Sequence, residues 1–406
     1  MPTGFPDDLV DVLHAVRTRT DVSQPELVRL CGSSRSIVAA RVAELRELGL
    51  LGEAGLGPST GGRAPRRLRL RAEAGVVVGV DAGASGMRLA VADLAGRVLE
   101  RSEVDIDVAD GPELVLGRVE AGVEELLTGR DTPVWGLGIG LPGPVDVAAG
   151  LPVAPPIMPG WDRYPVRARL AERFGVPVWV DNDVNLLALG ELRADPTAAG
   201  QDLICVKVGT GIGAGLVSNG RVHRGANGGA GDIGHIAVTD THVVCRCGNV
   251  GCLEAVAGGA ALARDAREIA RSGRSEVLAA RLDAHGSLSH ADVTVAAEHG
   301  DPAARALLAE AGRVIGATLA TLVSFYNPAR VVLSGGVVAA GDHVLAAVRE
   351  AVYRRSLPLA TRTLRIEPSA LGATGGTVGA VHLALDGVFS GDELSRRFGG
   401  EPALAN

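Results

Sequence analysis

Apolar residues recur at helical spacing from the start of the chain. Leu9, Val12, Leu13 and Val16 fall on one helix face and predict a helix over residues 7–19. Ser23-Gln-Pro-Glu26 has the order of a capping box and opens a second helix through Leu30, with Gly32 as its stop. Ser34 can cap a third helix over residues 35–48, where Val38, Val42, Leu45 and Leu48 align again. The period then changes. Residues 55–63 are too glycine-rich for a helix, and residues 66–71 alternate as a strand does. Three helices followed by a glycine-rich hairpin predict a winged helix-turn-helix over residues 1–72.

The style of the sequence shifts near Gly75. Residues 76–80 are a continuous apolar run of the buried-strand type, followed by Asp81-Ala-Gly83 and a second strand over residues 88–93. Strands and helices alternate from there to about residue 386, which predicts an α/β body. Two similar glycine turns, near 81–88 and 209–216, point to two related lobes, 75–195 and 196–386. Residues 387–406 are polar and are expected to form a flexible tail. The helical stretch 303–326 is a candidate dimer interface.

Length and charge sharpen this division. A chain of 406 residues exceeds one compact core, so several domains are expected. No apolar run reaches the roughly 18 residues that span a bilayer. The N-terminus is acidic without an apolar signal core, which places the protein in the cytoplasm. The net charge of −7 argues against a wholly DNA-coating protein. Yet the first 72 residues carry 11 Arg against 8 Asp and Glu, so the acidic excess lies in the body. A mildly basic head on an acidic body suits a DNA-binding module joined to a sensor.

In a helix-turn-helix the second helix of the pair enters the major groove by its N-terminal end. Those residues here are Arg35, Ser36, Ile37, Ala39 and Ala40. Arg35 can pair with guanine through two hydrogen bonds, and Ile37 and the alanines can pack on thymine methyls. Arg41 and Arg46 suit phosphates, which position without specifying. Arg63, Arg66 and Arg67 on the wing can reach a minor groove or the backbone. A protein-interaction module with a solvated arginine face has the same composition. The helix lengths, short turn and Gly/Arg wing together favour a double-stranded DNA operator as partner.

Of five cysteines, Cys245, Cys247 and Cys252 fall within eight residues, with Cys31 and Cys205 elsewhere. The pattern His235-x9-Cys245-x-Cys247-Gly-x-x-Gly-Cys252-x-Glu254 supplies one imidazole and three thiolates, the donor set of a closed tetrahedral zinc site. Gly248 and Gly251 let the loop fold back. The competing reading is three buried reduced cysteines without metal. With four protein ligands the zinc would be structural, and it would fix the His235 ring for a second partner.

This pattern closely resembles the signature of the ROK family, which groups repressors, uncharacterised reading frames and sugar kinases. The resemblance runs from about residue 8 to residue 386. It extends to the head, where residues 57–63, Gly-Pro-Ser-Thr-Gly-Gly-Arg, resemble the wing of ROK repressors. It implies an actin-like ATPase (ribonuclease H-like) body of two lobes, a sugar-kinase fold with sugar in the cleft.

Further residues take roles from this resemblance. Val180-Asp-Asn182-Asp183-Val-Asn185 lies between a strand and a helix. By resemblance Asp183 is the catalytic base of a kinase, and Asn182 binds a neighbouring sugar hydroxyl. On the residues alone, helix capping is equally sensible. Asp232, His235 and Glu254 complete the implied sugar-binding set, and Gly140-Leu-Pro-Gly-Pro-Val-Asp146 resembles a turn near the sugar or is a plain Pro-Gly turn. Asp81 and Gly83 resemble a first phosphate hairpin with a magnesium ligand. Gly209, Thr210, Gly211 and Gly213 resemble the second, and Gly335 and Gly336, with the glycines of residues 372–379, the adenosine-side loops. The implied cofactors are zinc and, for a kinase, ATP and Mg2+.

Three segments depart from the family pattern. Ala84-Ser85 stands where family kinases usually have Gly-Thr, Ile157 lies near a sugar-contacting Asn, and Asp232 replaces Glu. Loss of a buried amide removes a hydrogen bond worth about 1 kcal/mol or more. The expected function is therefore a DNA-binding regulator, a repressor of carbohydrate metabolism that senses a sugar as a homodimer or higher homo-oligomer, with no membrane partner. The alternative is an ATP-dependent sugar kinase carrying a DNA-binding head.

Overall fold

The computed structural model of the chain describes residues 5–19, 21–56, 66–195, 197, 200–238, 241–339 and 342–398. Residues 57–65, which include the resembling wing segment and Arg63, lie outside the described residues, as do residues 399–406.

The head is three helices and a small antiparallel sheet. Helix α1 (Asp7–Arg17) buries Leu9, Val12, Leu13 and Val16. Strand β1 (Val22–Ser23) leads into α2 (Gln24–Cys31), where the Ser23 amide donates to Glu26 Oε2 at 2.7 Å as a capping box requires. Gly32 ends α2 in the left-handed region, at φ 64°. Helix α3 (Arg35–Glu47) starts on Ser34, whose Oγ accepts from the Ile37 amide at 3.3 Å. Strands β2 (Leu51–Leu56) and β3 (Arg66–Leu70) pair antiparallel, giving the sheet order β1-β3-β2.

The body opens with β4 (Val76–Ala82), β5 (Met87–Asp93) and β6 (Val98–Val104), an antiparallel meander. Helix α4 (Pro112–Leu127) leads to β7 (Val134–Leu141), parallel to β4. The short pair β8 (Val145–Asp146) and β9 (Leu151–Pro152) precedes α5 (Val166–Phe174), β10 (Val178–Asn182) and α6 (Asp183–Ala194). The first sheet runs β10-β7-β4-β5-β6.

The second lobe repeats this plan. A meander of β11 (Leu203–Val208), β12 (Ile212–Ser218) and β13 (Arg221–His223) comes first. Then follow α7 (Leu253–Ala257), α8 (Gly259–Arg271), α9 (Glu276–His285), α10 (His290–Glu298) and α11 (Pro302–Tyr326). Strand β14 (Arg330–Ser334) is parallel to β11, and after α12 (Asp342–Arg355) and α13 (Pro358–Thr361), β15 (Arg365–Pro368) is parallel to β14. The order β13-β12-β11-β14-β15 is that of the first sheet. The chain closes with α14 (Gly375–Val388) and α15 (Gly391–Phe398).

Two helices lock the lobes together by exchange. Helix α6 follows the first sheet yet packs on β11 and β12, and α14 follows the second yet packs on β4 and β7. They touch backbone to backbone: a Cβ on Gly379 would lie 1.8 Å from the Leu186 carbonyl oxygen, and one on Gly190 2.2 Å from that of Gly375. Only glycine fits such an approach.

The expected flexible tail is corrected in its first part. Residues 391–398 form α15, and Leu394 is fully buried. Leu394 and Phe398 stand one helical turn apart among polar residues, a spacing that a polar composition conceals. Phe398 packs edge-on against Trp135 at 5.9 Å and near Phe5 at 6.3 Å. The Phe5 amide donates to Ser395 Oγ at 2.7 Å. Head and body consequently share one apolar core, which joins Leu9, Val12 and Leu68 to Trp135, Leu385 and Phe389. One face of the stretch 303–326 is interior, where Leu308, Ile315 and Leu319 belong to the second lobe's core, and Phe325 near its end is exposed. By length and composition α11 could cross a membrane, but half of its apolar window is buried in the fold.

Candidate functional site

The meander turns of the two lobes face each other across a cleft of about 580 Å³. The predicted residues Asp81, Gly83, Asn182, Asp183, Gly209, Thr210, Gly211, Gly213, Asp232, His235, Glu254, Gly335 and Gly336 all line it.

Asp183 begins α6 with Asn182 as its cap: Asn182 Oδ1 accepts from the Val184 amide at 3.0 Å, and its Nδ2 donates to the Gly143 carbonyl at 2.7 Å. The capping role read from the sequence is thus occupied, and it turns the Asn182 amide against the Pro-Gly turn. Asp181, one residue earlier, is fully buried. Its Oδ2 accepts from Arg224 Nε and Nη2 at 2.8 and 2.6 Å, and its Oδ1 from Asn185 Nδ2 at 2.9 Å. Arg224 starts the glycine-rich loop that ends in Asp232 and His235, so this ion pair ties that loop to the end of β10.

His235 links the cleft to the cysteine cluster. Its Nδ1 lies 3.7 Å from Cys245 Sγ, and its Nε2 lies 3.9 Å from Asp232 Oδ1. Cys247 and Cys252 sulfurs are 3.6 Å apart. One donor atom from each of His235, Cys245, Cys247 and Cys252 lies within 4.8 Å of all the others. A tetrahedron with the bond lengths of zinc has edges of roughly 3.5–3.8 Å, so this set fits a metal ion of that kind. Gly248 and Gly251, at φ 92° and 78°, make the hairpin that closes it. Glu254 Oε1 stands 3.6 Å from Cys245 Sγ and 4.0 Å from His235 Nδ1.

On the opposite wall, Asp81 lies one residue before the end of β4 and is 5% exposed. Burial raises its pKa, partly offset by Lys207. Lys207, on β11, was not anticipated. Its Nζ donates to Asp183 Oδ2 at 2.8 Å and lies 3.8 Å from Asp81 Oδ1. Burial disfavours its ammonium, but the two carboxylates outweigh that and raise its pKa. A signal was present: Lys207 is the single lysine among 40 lysine and arginine residues. His290 was also missed. It lines the cleft behind Gly336 and Gly259, where burial lowers its pKa.

The head presents a second candidate surface. Arg35, Ser36, Ile37, Ala39 and Ala40 are exposed along the first turns of α3, with Ile37 41% exposed. Arg41 is paired with Asp8 at 2.9 Å and Glu44 at 2.8 Å, and Arg46 and Arg66 share Glu53. Such exposed pairs are worth about 0–1 kcal/mol, so they exchange readily for phosphate.

A family model described as the ROK family matches residues 77–387. The xylose repressor of Caldicellulosiruptor bescii is 27% identical over 95% of this chain and 96% of its own length. A ROK family transcriptional regulator, a homologue of the E. coli MLC protein, superposes over 97% of this chain and 98% of its own with a TM-score of 0.82 at 24% identity. The ROK family glucokinase from Streptomyces griseus, solved with glucose and AMPPNP, is 32% identical, with a TM-score of 0.69 over 77% of this chain and 100% of its own. The body accordingly has the actin-like sugar-kinase fold, and the chain belongs to the ROK family.

Proposed function

We propose that this protein is a sugar-responsive transcriptional repressor whose head is a winged helix-turn-helix. One observation carries the reading: the chain matches a xylose repressor along nearly the full length of both, head included. The glucokinase, by contrast, aligns with only 77% of it. In this reading α3 enters the major groove, with Arg35, Ser36, Ile37 and Ala39 toward base edges and Arg41 and Arg63 on the backbone.

The sugar lies between the lobes, held by Asn182, Asp183, Asp232, His235 and Glu254. Zinc on His235, Cys245, Cys247 and Cys252 is structural: bound through Nδ1, it leaves Nε2 toward the cleft, where the imidazole meets a hydroxyl. The glycine loops around Gly83, Gly209, Thr210, Gly211, Gly213, Gly335 and Gly336 are the inherited nucleotide side. The protein works in the cytoplasm as a homodimer on a palindromic operator. Phe325, Leu357 and Leu359, 87%, 76% and 78% exposed at the ends of α11 and α13, support self-association.

Selection of bound sequences from random duplex DNA tests this. The wild-type chain enriches a palindrome, and Arg35→Ala relaxes one position of each half-site, at a cost of about 1–3 kcal/mol. Recovery of no sequence by the zinc-loaded protein would remove the repressor reading. The kinase reading draws on the retained Asp81, Asp183 and glycine loops, and ADP release with a hexose panel tests it.

A further inference from the structure

The proposed sugar site makes no use of Lys207, a charged side chain that reaches across its cleft to Asp81 and Asp183. Of the 40 lysine and arginine residues of this protein only Lys207 is lysine, and it lies in the cleft. Its place suits an ammonium and not a guanidinium. A compact point charge can sit between two converging carboxylates, whereas a planar fork needs a wider approach.

The two carboxylates come from different elements. Asp81 is the penultimate residue of the first strand of the first lobe, with the backbone of α14 closing over it: a Cβ on Gly376 would lie 2.2 Å from Asp81 Oδ2. Asp183 opens α6. Lys207 reaches them from the second lobe, one residue before the end of β11. Asp81 Oδ1 is buried and has no hydrogen-bond partner among the described residues, so the nearby ammonium is the charge that balances it.

A sugar kinase of this fold needs two different things here. One is a divalent cation, which prefers an octahedral set of oxygens that usually includes one or two carboxylates and substrate phosphates. The other is a carboxylate free to accept a proton from the attacking hydroxyl. The donor set does not fit the first need, because a fixed positive charge already lies 3.8 Å from Asp81 and would repel a second cation. It meets the second only in part, because Asp183 Oδ2 accepts a hydrogen from the Lys207 ammonium, which leaves Oδ1 to face a sugar hydroxyl.

We infer that Lys207 is a resident cation that replaces the divalent ion between Asp81 and Asp183, so that the cleft takes a neutral sugar and does not phosphorylate it. Lys207 is a positioning residue, acting through the two carboxylates. The inference rests on the reading of the cleft as a sugar site and adds to it the class of ligand, an unphosphorylated sugar bound without nucleotide-chelated metal.

Manganese binding to the zinc-loaded full-length chain, read by electron paramagnetic resonance, tests it. The wild type is expected to leave added Mn2+ free. Lys207→Met, which keeps length and removes charge, is expected to bind one Mn2+ at least roughly ten-fold more tightly, and Asp81→Asn in that background to abolish the gain. Equal Mn2+ affinity of wild type and Lys207→Met would overturn the inference. So would wild-type ADP release with ATP and a hexose that Lys207→Met abolishes, since Lys207 would then be a phosphate ligand. If Lys207→Met does not fold, the wild-type arm still decides: a tight Mn2+ site lost in Asp81→Asn overturns the inference, and its absence upholds it. DNA selection by the wild type is independent, so the repressor reading can fail while the manganese result stands.

Discussion

Arg17 of the head donates through Nη2 to Asp386 Oδ1 at 2.6 Å, across the boundary between head and body. The other oxygen of Asp386 accepts from Arg193 at 2.7 Å. Arg193 lies in the last turn of α6, the helix that begins at Asp183 in the cleft, and Asp386 lies on α14, whose first turn covers Asp81. Both helices that cross between the lobes thus end at one carboxylate holding the head. A sugar that alters the angle of α6 against α14 acts at that point, provided it binds the two arrangements with different affinity.

Asp386→Asn is expected to separate head from cleft. Arg17 is 7% exposed, so loss of its anion costs about 1–3 kcal/mol after allowance for the third of Asp386 that meets solvent. DNA affinity without sugar should change little, while the sugar-induced change in affinity should shrink. Thermal unfolding and a paired DNA titration check this. An unaltered sugar response in a destabilised Asp386→Asn protein would show that the coupling runs elsewhere.

The same junction makes the head sensitive to acid. His382 on α14 has its pKa lowered to about 4, by burial first and then by Arg193 and Arg17, against the opposing pull of Asp386. His14 on α1 is lowered by burial and Arg17, with Asp386 and Asp11 opposing. A histidine with a depressed folded pKa takes up its proton more readily in the unfolded chain. Stability from the pair is therefore present above about pH 6.5 and is lost as pH falls from there toward 4. The thermal midpoint should drop between pH 7 and pH 5, and His382→Gln should flatten that slope. An equal slope in the variant would contradict this assignment.

Metal removal should reach the sugar before it reaches DNA. The loop that carries Cys245 and Cys252 is closed by two isolated bridges, Ala237 to Cys252 and Val244 to Val250, and burial raises both thiols. Zinc held there would offset that cost by keeping them as thiolates. Chelation, or Cys252→Ser, should release one zinc per chain, free the His235 ring and weaken sugar binding by about 10–100-fold, with DNA affinity retained. Metal analysis alongside sugar titration reads both. Full sugar affinity in the zinc-free protein would exclude His235 as a contact.

Much of this was legible in the sequence where a local rule sufficed. The Ser23 to Glu26 capping box and the Ser34 cap lie within short segments and appear as read, and His235, Cys245, Cys247 and Cys252 stand close enough together to share a metal ion. The two glycine turns near 81–88 and 209–216 do open matching meanders. What was missed depends on distance along the chain. Lys207 meets Asp81 and Asp183 only when the two sheets face each other, and its rarity was the one local sign. Helix α15 was hidden because it needs only Leu394 and Phe398 to dock, and their partners Trp135 and Phe5 are remote in sequence. Asn182 illustrates another case: capping and contact with a sugar hydroxyl were rival readings of one residue, and the fold caps α6 with it at the wall of the cleft.

Sugar in the cleft is expected to change the grip of the head on DNA. Fluorescence anisotropy of the selected operator, titrated with the zinc-loaded protein in the presence of each of a panel of pentoses and hexoses, tests it most directly. At least one sugar should shift the Kd for operator by about ten-fold or more, and Asp183→Asn should abolish the shift. An operator affinity unmoved by every sugar at saturating concentration would contradict it.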